Sequence, residues 1–216
     1  MKIICVGQNY LEHIKELNSA IPDEPVFFIK PDTALVTDNK PFYLPDFSKD
    51  IHYEVEVIIK INKMGKHIDE KFAHKYYDEL SVGIDFTARD IQKAQKTKGL
   101  PWEKAKAFDN SAPIGTFVSK SKLPALNNLN FHLNINNKTV QKGNTSDLLF
   151  SFDKIIAFIS QFITLKTGDI IFTGTPVGVG AVDISDKLEA FLENEKLLSF
   201  EIKSVGTHKA KHEQHI

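Results

Sequence analysis

The run His52-Tyr53-Glu54-Val55-Glu56-Val57-Ile58-Ile59 constrains the fold of this chain more than any other. Its β-branched residues alternate with polar ones, and strand side chains point to opposite faces with period two, so the spacing predicts a strand. Val55, Val57 and Ile59 then share one face, and His52, Glu54 and Glu56 share the other. Residues two apart on a strand lie roughly 6–7 Å from each other, which aims two carboxylates into the same space. Like charges held that close repel, and burying either one unpaired is costly, so a positive group is expected between them. The alternative is a solvated face on an edge strand, with both glutamates pointing into water.

A second stretch, Ser81-Val82-Gly83-Ile84-Asp85-Phe86, alternates in the same way. Asp85 projects away from the apolar face formed by Val82, Ile84 and Phe86, and Gly83 leaves room beside it. Three carboxylates on rigid strands are hard oxygen ligands, suited to Mg²⁺, Mn²⁺ or Ca²⁺ rather than to a soft metal.

The chain has 216 residues, enough to bury a substantial core in one domain. A net charge of −1 gives no electrostatic reason to expect nucleic acid or an anionic membrane as partner. No stretch approaches the roughly 18–20 apolar residues that span a bilayer. The N-terminal run Met1–Gly7 is too short and too quickly polar for a secretory signal, so a cytoplasmic protein is expected. The lone cysteine, Cys5, lies in the apolar run Ile3-Ile4-Cys5-Val6 and reads as a buried structural thiol.

In chain order, a short buried strand at 2–6 is followed by a turn at Gly7-Gln8. Asn9 then opens a helix, with Glu12 at the capping-box spacing and Tyr10, Ile14 and Leu17 as its apolar stripe. His13 and Glu16 stand three apart on that helix, at the border of core and solvent. Such a pair serves either as a general base with its orienting carboxylate or as a plain surface pair. Val26-Phe27-Phe28-Ile29-Lys30 reads as a strand stopped by Pro31, and Lys30 is either its solvated end or a cation facing the site. Short strands and turns are expected over 33–47, and a helix over 69–79.

After Asp85, Thr87 is an expected N-cap with Asp90 at the capping-box position, and Arg89 and Gln92 share a helix face beside Asp85. An arginine there suits a substrate carboxylate. Lys104 and Lys106 each read as an exposed charge or as a cation facing the acids. A hairpin across Asn136-Asn137 puts His132 on its solvated face, and Ile155, Ile156, Phe158, Ile159 and Phe162 give a helix over 152–162 its core face. Ile170–Thr173 forms a buried strand and ends in Gly174-Thr175-Pro176-Val177-Gly178-Val179-Gly180. No Lys-Ser/Thr follows, so this is no phosphate loop; its glycines mark backbone that comes close to something, with Thr175 offering a hydroxyl and an amide. Residues 181–205 alternate like meander strands, and the tail with His208, His212 and His215 is expected to fray.

In this order, Asn-Tyr-x-x-His-x-x-Glu at 9–16, Phe28-Ile29-Lys30-Pro31, His-Tyr-Glu-x-Glu at 52–56 and Asp-Phe-Thr-Ala-Arg-Asp-Ile-Gln at 85–92 resemble the fumarylacetoacetate hydrolase superfamily. Gly-Leu-Pro-Trp at 99–102, Lys106 and Thr-Gly-Thr-Pro-x-Gly-Val-Gly at 173–180 complete the resemblance, which covers nearly the whole chain. It is closest to the acylpyruvate hydrolase and oxaloacetate decarboxylase-like branch. The resemblance implies a β-rich α+β fold, a mixed β-sandwich or β-roll of the fumarylacetoacetate hydrolase C-terminal domain type with a few flanking helices. It implies a single catalytic domain over 1–206, a polar tail at 207–216, and a homodimer. It further implies Mg²⁺ or Mn²⁺ held by Glu54, Glu56 and Asp85, and a water-activating dyad of His13 and Glu16 on a helix that closes over substrate. Arg89, Gln92, Lys106 and Thr175 would bind the pyruvoyl end, with Lys106 also holding developing charge. Gln8 departs from the branch, which carries an arginine there, so distal substrate recognition is not carried over.

The expected activity is cleavage of a C–C bond in an acylpyruvate-type 2,4-diketo acid by a metal-dependent hydrolase, through a pyruvate enolate. Oxaloacetate decarboxylation or tautomerisation and hydroxymuconate-type isomerisation are alternatives on the same site. A non-catalytic domain holding a structural Ca²⁺ is the alternative of another class.

Overall fold

The computed structural model describes residues 1–204. The strands are β1 (Ile3–Gly7), β2 (Val26–Lys30), β3 (Leu35–Val36), β4 (Phe42–Leu44), β5 (Ile51–Tyr53), β6 (Val55–Ile61), β7 (Tyr77–Ile84) and β8 (Thr87–Ala88). They continue as β9 (Ala112–Pro113), β10 (Val118–Ser119), β11 (Asn130–Ile135), β12 (Lys138–Asn144), β13 (Ile170–Phe172), β14 (Gly180–Ala181), β15 (Lys187–Leu192) and β16 (Glu195–Ser204). Between them lie α1 (Leu11–Glu16), α2 (Glu70–Ala73), α3 (Arg89–Lys98), α4 (Glu103–Lys106) and α5 (Phe152–Phe162). The result is the expected β-rich α+β class with few helices.

A six-stranded sheet in the order β10-β7-β6-β13-β1-β2 faces a five-stranded sheet, β12-β11-β15-β16-β4. Val57, Ile59, Leu80 and Val82 of the first meet Phe131, Leu133, Leu188, Ala190 and Phe200 of the second in the main core. The opposite face of the first sheet is also covered: Ile3, Cys5, Ile58, Ile170 and Phe172 form a second buried cluster. Strands buried on both faces read as unbroken apolar runs, which accounts for Ile3-Ile4-Cys5-Val6 and Ile170-Ile171-Phe172. Cys5 is fully buried, and burial pushes its thiol well above the usual range, as suits a structural residue. Among the described residues no helix is long and apolar enough to cross a membrane.

Several local expectations are corrected. The helix expected over 69–79 is only α2, capped by the Asp69 carboxylate on Lys71 N, and Tyr77 already begins β7 because it pairs with β6. Asn9 is not an N-cap. Its side chain donates to Phe150 O and Thr173 O and accepts from Phe150 N, so Tyr10 takes the cap position without a side-chain bond. Thr87 lies in β8, paired with His52, and α3 follows Ala88 without a side-chain cap. The hairpin turns at Asn136 and Asn137 as expected, both with left-handed φ, 51° and 67°. His132 is not free in solvent: its ring stacks on Phe191 with centroids 4.5 Å apart. On α5 the core face holds Ile155, Ile156 and Ile159, whereas Phe162 is 59 % exposed and leans on Phe27 and Phe158 at the surface. The tail expected at 207–216 lies outside the described residues.

Candidate active site

The strand expected over 52–60 is two strands with a crease at Glu54. On one side β6 pairs with β7, Val55 opposite Ile84; on the other β5 pairs with β8, His52 opposite Thr87. The antiparallel register is the same on both sides, so Glu54 and Asp85 are cross-strand neighbours in a single bent ribbon. Asp85 N donates to Glu54 O at 2.9 Å across the crease. Glu56 sits two residues into β6, opposite Gly83. The room left by Gly83 is filled by the Phe172 ring, which a Cβ there would meet at 2.7 Å. His52 does not join the acids; past the crease it turns to Asp50, with Nε2 at 2.8 Å.

Glu54, Glu56 and Asp85 are all buried, and one carboxylate oxygen from each lies within 4.8 Å of the others. Three cations surround them. Lys106 Nζ donates to Glu54 Oε2 at 2.7 Å and to Asp85 Oδ2 at 2.8 Å. Arg89 Nη2 bonds Glu54 Oε1, and Arg89 Nη1 donates to Gln92 Oε1 at 2.7 Å, so the i, i+3 pair is realised. Lys30 is fully buried, 2.8 Å from Asp85 Oδ1 and 2.9 Å from Ser111 Oγ, and also bonds the Lys106 carbonyl. Position in the sequence left Lys30 open; the fold makes it a cation beneath the site. Lys104 is exposed and Lys106 buried, which separates those two.

The electrostatics divide the acids. Burial works against ionising Glu54, but Lys106 and then Arg89 outweigh it and hold its carboxyl below the usual range. Burial alone would push Lys106 down, yet Asp85 and Glu54 hold its ammonium above the ordinary lysine value. Glu56 has no such partner. Burial, then Asp85 and Glu54, push its carboxyl well above the usual range, and the Gly174 N–H, at 2.7 Å, and then the charge of Lys106 oppose them without prevailing. A buried carboxylate facing two others with one amide donor is the arrangement that a divalent cation relieves, so the donor set fits a hard metal ion.

The glycine-rich loop approaches this chain's own carboxylates. Gly174 N meets Glu56, and Gly178 N donates to Glu16 Oε1 at 3.1 Å. Both glycines have left-handed φ, 108° and 104°, and a Cβ on Gly174 would lie 2.7 Å from Asn9 Cβ. On α1, His13 Nδ1 and Glu16 Oε2 are 2.8 Å apart, with His13 buried and Glu16 at the surface. The Thr175 hydroxyl already donates to Val55 O and accepts from Gln141 Nε2, leaving its backbone N–H to offer a ligand.

His13, Glu54, Glu56, Asp85, Arg89, Gln92, Lys106 and Thr175 line one narrow cavity, together with Gln8, Lys96, Trp102 and Phe28. Of the expected site residues, Glu16 alone is outside the lining, held behind His13. Lys96 and Gln141 are not singled out by the sequence, and Trp102 enters there only as part of the Gly-Leu-Pro-Trp motif, with no role in the site. Lys96 had a legible signal, since it follows Arg89 and Gln92 at i, i+3, i+7 on one helix face. A larger, more open groove between α3 and α4, near Ile91 and Leu100, contains none of the three acids.

The family model described as Fumarylacetoacetate (FAA) hydrolase C-terminal matches residues 2–211, and the chain belongs to this family. It is 41 % identical over 201 residues to the mitochondrial oxaloacetate tautomerase of Mus musculus, covering 93 % of this chain and 91 % of that protein. It is 43 % identical over 182 residues to the mitochondrial oxaloacetate decarboxylase of Dictyostelium discoideum, covering 84 % of each. The crystal structure of fumarylpyruvate hydrolase from Pseudomonas aeruginosa, in complex with Mn²⁺ and pyruvate, superposes with a TM-score of 0.89 at 32 % identity, over 94 % of this chain and 90 % of that one. These relatives are named as enzymes of more than one reaction class.

Proposed function

We propose that this member of the fumarylacetoacetate hydrolase family moves a proton at the carbon next to the 2-oxo group of a small 2-oxo acid, with oxaloacetate as the leading substrate. The observation that carries the proposal is that a carboxylate-oriented imidazole and three convergent buried acids face the same cavity. Similarity to an oxaloacetate tautomerase and an oxaloacetate decarboxylase supports the substrate.

In this reading Glu54, Glu56 and Asp85 hold Mg²⁺ or Mn²⁺, which when bound draws electron density from the 2-oxo group and acidifies the adjacent C–H. The remaining chemistry belongs to the chain. Glu16 accepts from His13 Nδ1–H, which fixes the ring and leaves Nε2 as the base. Nε2 takes the proton from C3 as the C2–C3 double bond forms, and the same proton, passed from Nε2–H to the 2-oxo oxygen, completes the enol and restores the base. Lys106, kept protonated by Asp85 and Glu54, faces the charge that builds on that oxygen. Arg89 orients Gln92 through its Oε1, so the Gln92 amide N–H₂ and the Thr175 backbone N–H are left to grip the pyruvoyl carboxylate.

Hydrolysis of an acylpyruvate is the second reading. It is favoured by the His13–Glu16 pair, which suits activation of water, and by the likeness to a fumarylpyruvate hydrolase. Homodimeric assembly belongs to the same proposal, supported by strand β2, which lies at the sheet edge among the described residues, with Ile29 39 % exposed and the Phe27 ring against Phe162.

The test follows enol absorbance of oxaloacetate, and pyruvate release from acetylpyruvate, with Mg²⁺, Mn²⁺ or EDTA. Metal-dependent acceleration with oxaloacetate is expected, and H13A should lose about 10²–10⁴-fold of it, the usual share of a positioned base. Full activity in H13A removes the dyad from the mechanism; acceleration of acetylpyruvate cleavage alone selects hydrolysis.

A further inference from the structure

Three cations line the cavity: Arg89, Lys96 and Lys106. Arg89 is bonded to Glu54, and Lys106 to Glu54 and Asp85. Among the described residues Lys96 alone of the three has no carboxylate within ion-pair distance. It is an exposed residue on α3, at the rim rather than the floor. Along a helix the rise is about 1.5 Å per residue, so its backbone stands about 10 Å further along α3 than that of Arg89, which touches the acids.

The ammonium is nonetheless aimed. Lys96 Nζ lies 5.5 Å from the centroid of the Trp102 ring, Trp102 packs edge-on against Phe28 at 5.9 Å, and Lys106 Nζ lies 5.3 Å from the Phe28 centroid. Two aromatic faces thus separate a rim cation from a buried one, and cation–π attraction favours keeping the Lys96 head over Trp102. Burial, then Arg89 and Lys106, act to lower the pKa of Lys96, with only Glu54 opposing. A positive group gathered beside two others and left without an acid is stabilised when an anion arrives. The other polar rim residue without such a charge is Gln8, held at a left-handed φ of 57° at the end of β1; its amide adds hydrogen bonds only.

We propose that Lys96 is a specificity-determining residue that holds the distal carboxylate of a dicarboxylic 2-oxo acid while the floor of the cavity grips its pyruvoyl end. The inference rests on the 2-oxo acid reading above and narrows it: substrates with a second acid are preferred over those with a neutral tail. Lys96 takes no proton and touches no reacting atom.

The experiment measures equilibrium binding by calorimetry to the Mg²⁺-loaded protein, with two 2-oxo acids of equal carbon number, 2-oxoglutarate and 2-oxovalerate. They differ only in a distal carboxylate against a methyl. Wild type should bind the diacid more tightly. K96M should weaken diacid binding about tenfold, the usual loss for one charge-assisted contact, and change the monoacid less than about twofold. K96R should keep most of the preference. Kinetics with oxaloacetate should show the same loss in KM with kcat little changed. Equal effects of K96M on both ligands, or none on either, overturn the assignment of Lys96 while leaving the 2-oxo acid reading intact. Wild type binding neither ligand overturns both.

Discussion

Glu56 supplies the sharpest test of the metal assignment, because its environment is untenable for a carboxylate without a counter-ion. It is 2 % exposed, Asp85 and Glu54 face it, the charge of Lys106 helps it less than the Gly174 amide does, and that amide N–H is its only hydrogen-bond donor among the described residues. In metal-stripped protein its pKa is raised above the unfolded value near 4.5. Between those two values the folded state holds a proton that the unfolded chain has lost, so stability is fully present below the unfolded pKa and falls as pH rises. The slope for one such group is about 1.4 kcal/mol per pH unit. For a chain of this size about 1 kcal/mol moves Tm by roughly 2–4 °C, so Tm in EDTA should fall about 3–5 °C per pH unit from the unfolded pKa up to the raised folded one, and level off beyond it. Mn²⁺ or Mg²⁺ at about a hundred times its Kd should return about 2.7 kcal/mol. Glu56→Gln removes the charge and keeps the Gly174 N–H acceptor. In EDTA it should therefore match or exceed wild-type stability at pH 7.5, have a shallower pH slope, and show little metal-induced rise in Tm. Thermal melts of both proteins over pH 5–8, with and without metal, decide the matter. Parallel curves in EDTA, or a full metal-induced shift in the variant, refute the reasoning.

Two further outcomes follow from the same geometry. Lys30→Met leaves the buried Asp85 carboxylate without one of its two lysines and should cost about 3–5 kcal/mol, read as a lower urea midpoint; a loss below about 1 kcal/mol would show that Lys30 is dispensable to the fold. Ile29→Lys combined with Phe162→Lys, on the exposed edge at β2 and α5, should convert a dimer to a monomer in light scattering with little change in secondary structure. A dimer that persists in this variant moves the interface elsewhere.

What was legible in the sequence was what local periodicity controls. Period two put Glu54 and Glu56 on one side of a strand, and the i, i+3 rule paired His13 with Glu16 and Arg89 with Gln92. The misses arose where a distant partner competed for a local group. Asn9 has capping chemistry, but three bonds to Phe150 and Thr173 take its side chain first. Thr87 has the same chemistry and is claimed by pairing with β5. Residues 77–79 carry no strong strand signal, yet β6 recruits them as the continuation of Leu80–Ile84. Lys30 was undecidable for a related reason: the end of a strand becomes interior only when another segment, here α4 and the Ser111 turn, folds over it.

The crease at Glu54 explains why a site with six buried or half-buried charges can exist inside a β-rich fold at all. Burying three carboxylates is unfavourable wherever the backbone can relax away from them. Here the ribbon continues in register on both sides of the bend, and the Asp85 N–H to Glu54 O bond closes the bend itself, so relaxation would break two sheets. The dyad is held quite differently. A six-residue helix has little stability of its own, and α1 keeps its place through buried Tyr10 and Ile14 beneath it, Asn9 at its start and the Gly178 N–H on Glu16 at its end. The acids are therefore fixed by the topology of the sheets, whereas the orientation of the base depends on a few contacts made by one short element. A substitution that loosens α1 is expected to act on proton transfer before it acts on metal affinity, and the two halves of the site are separable by that difference.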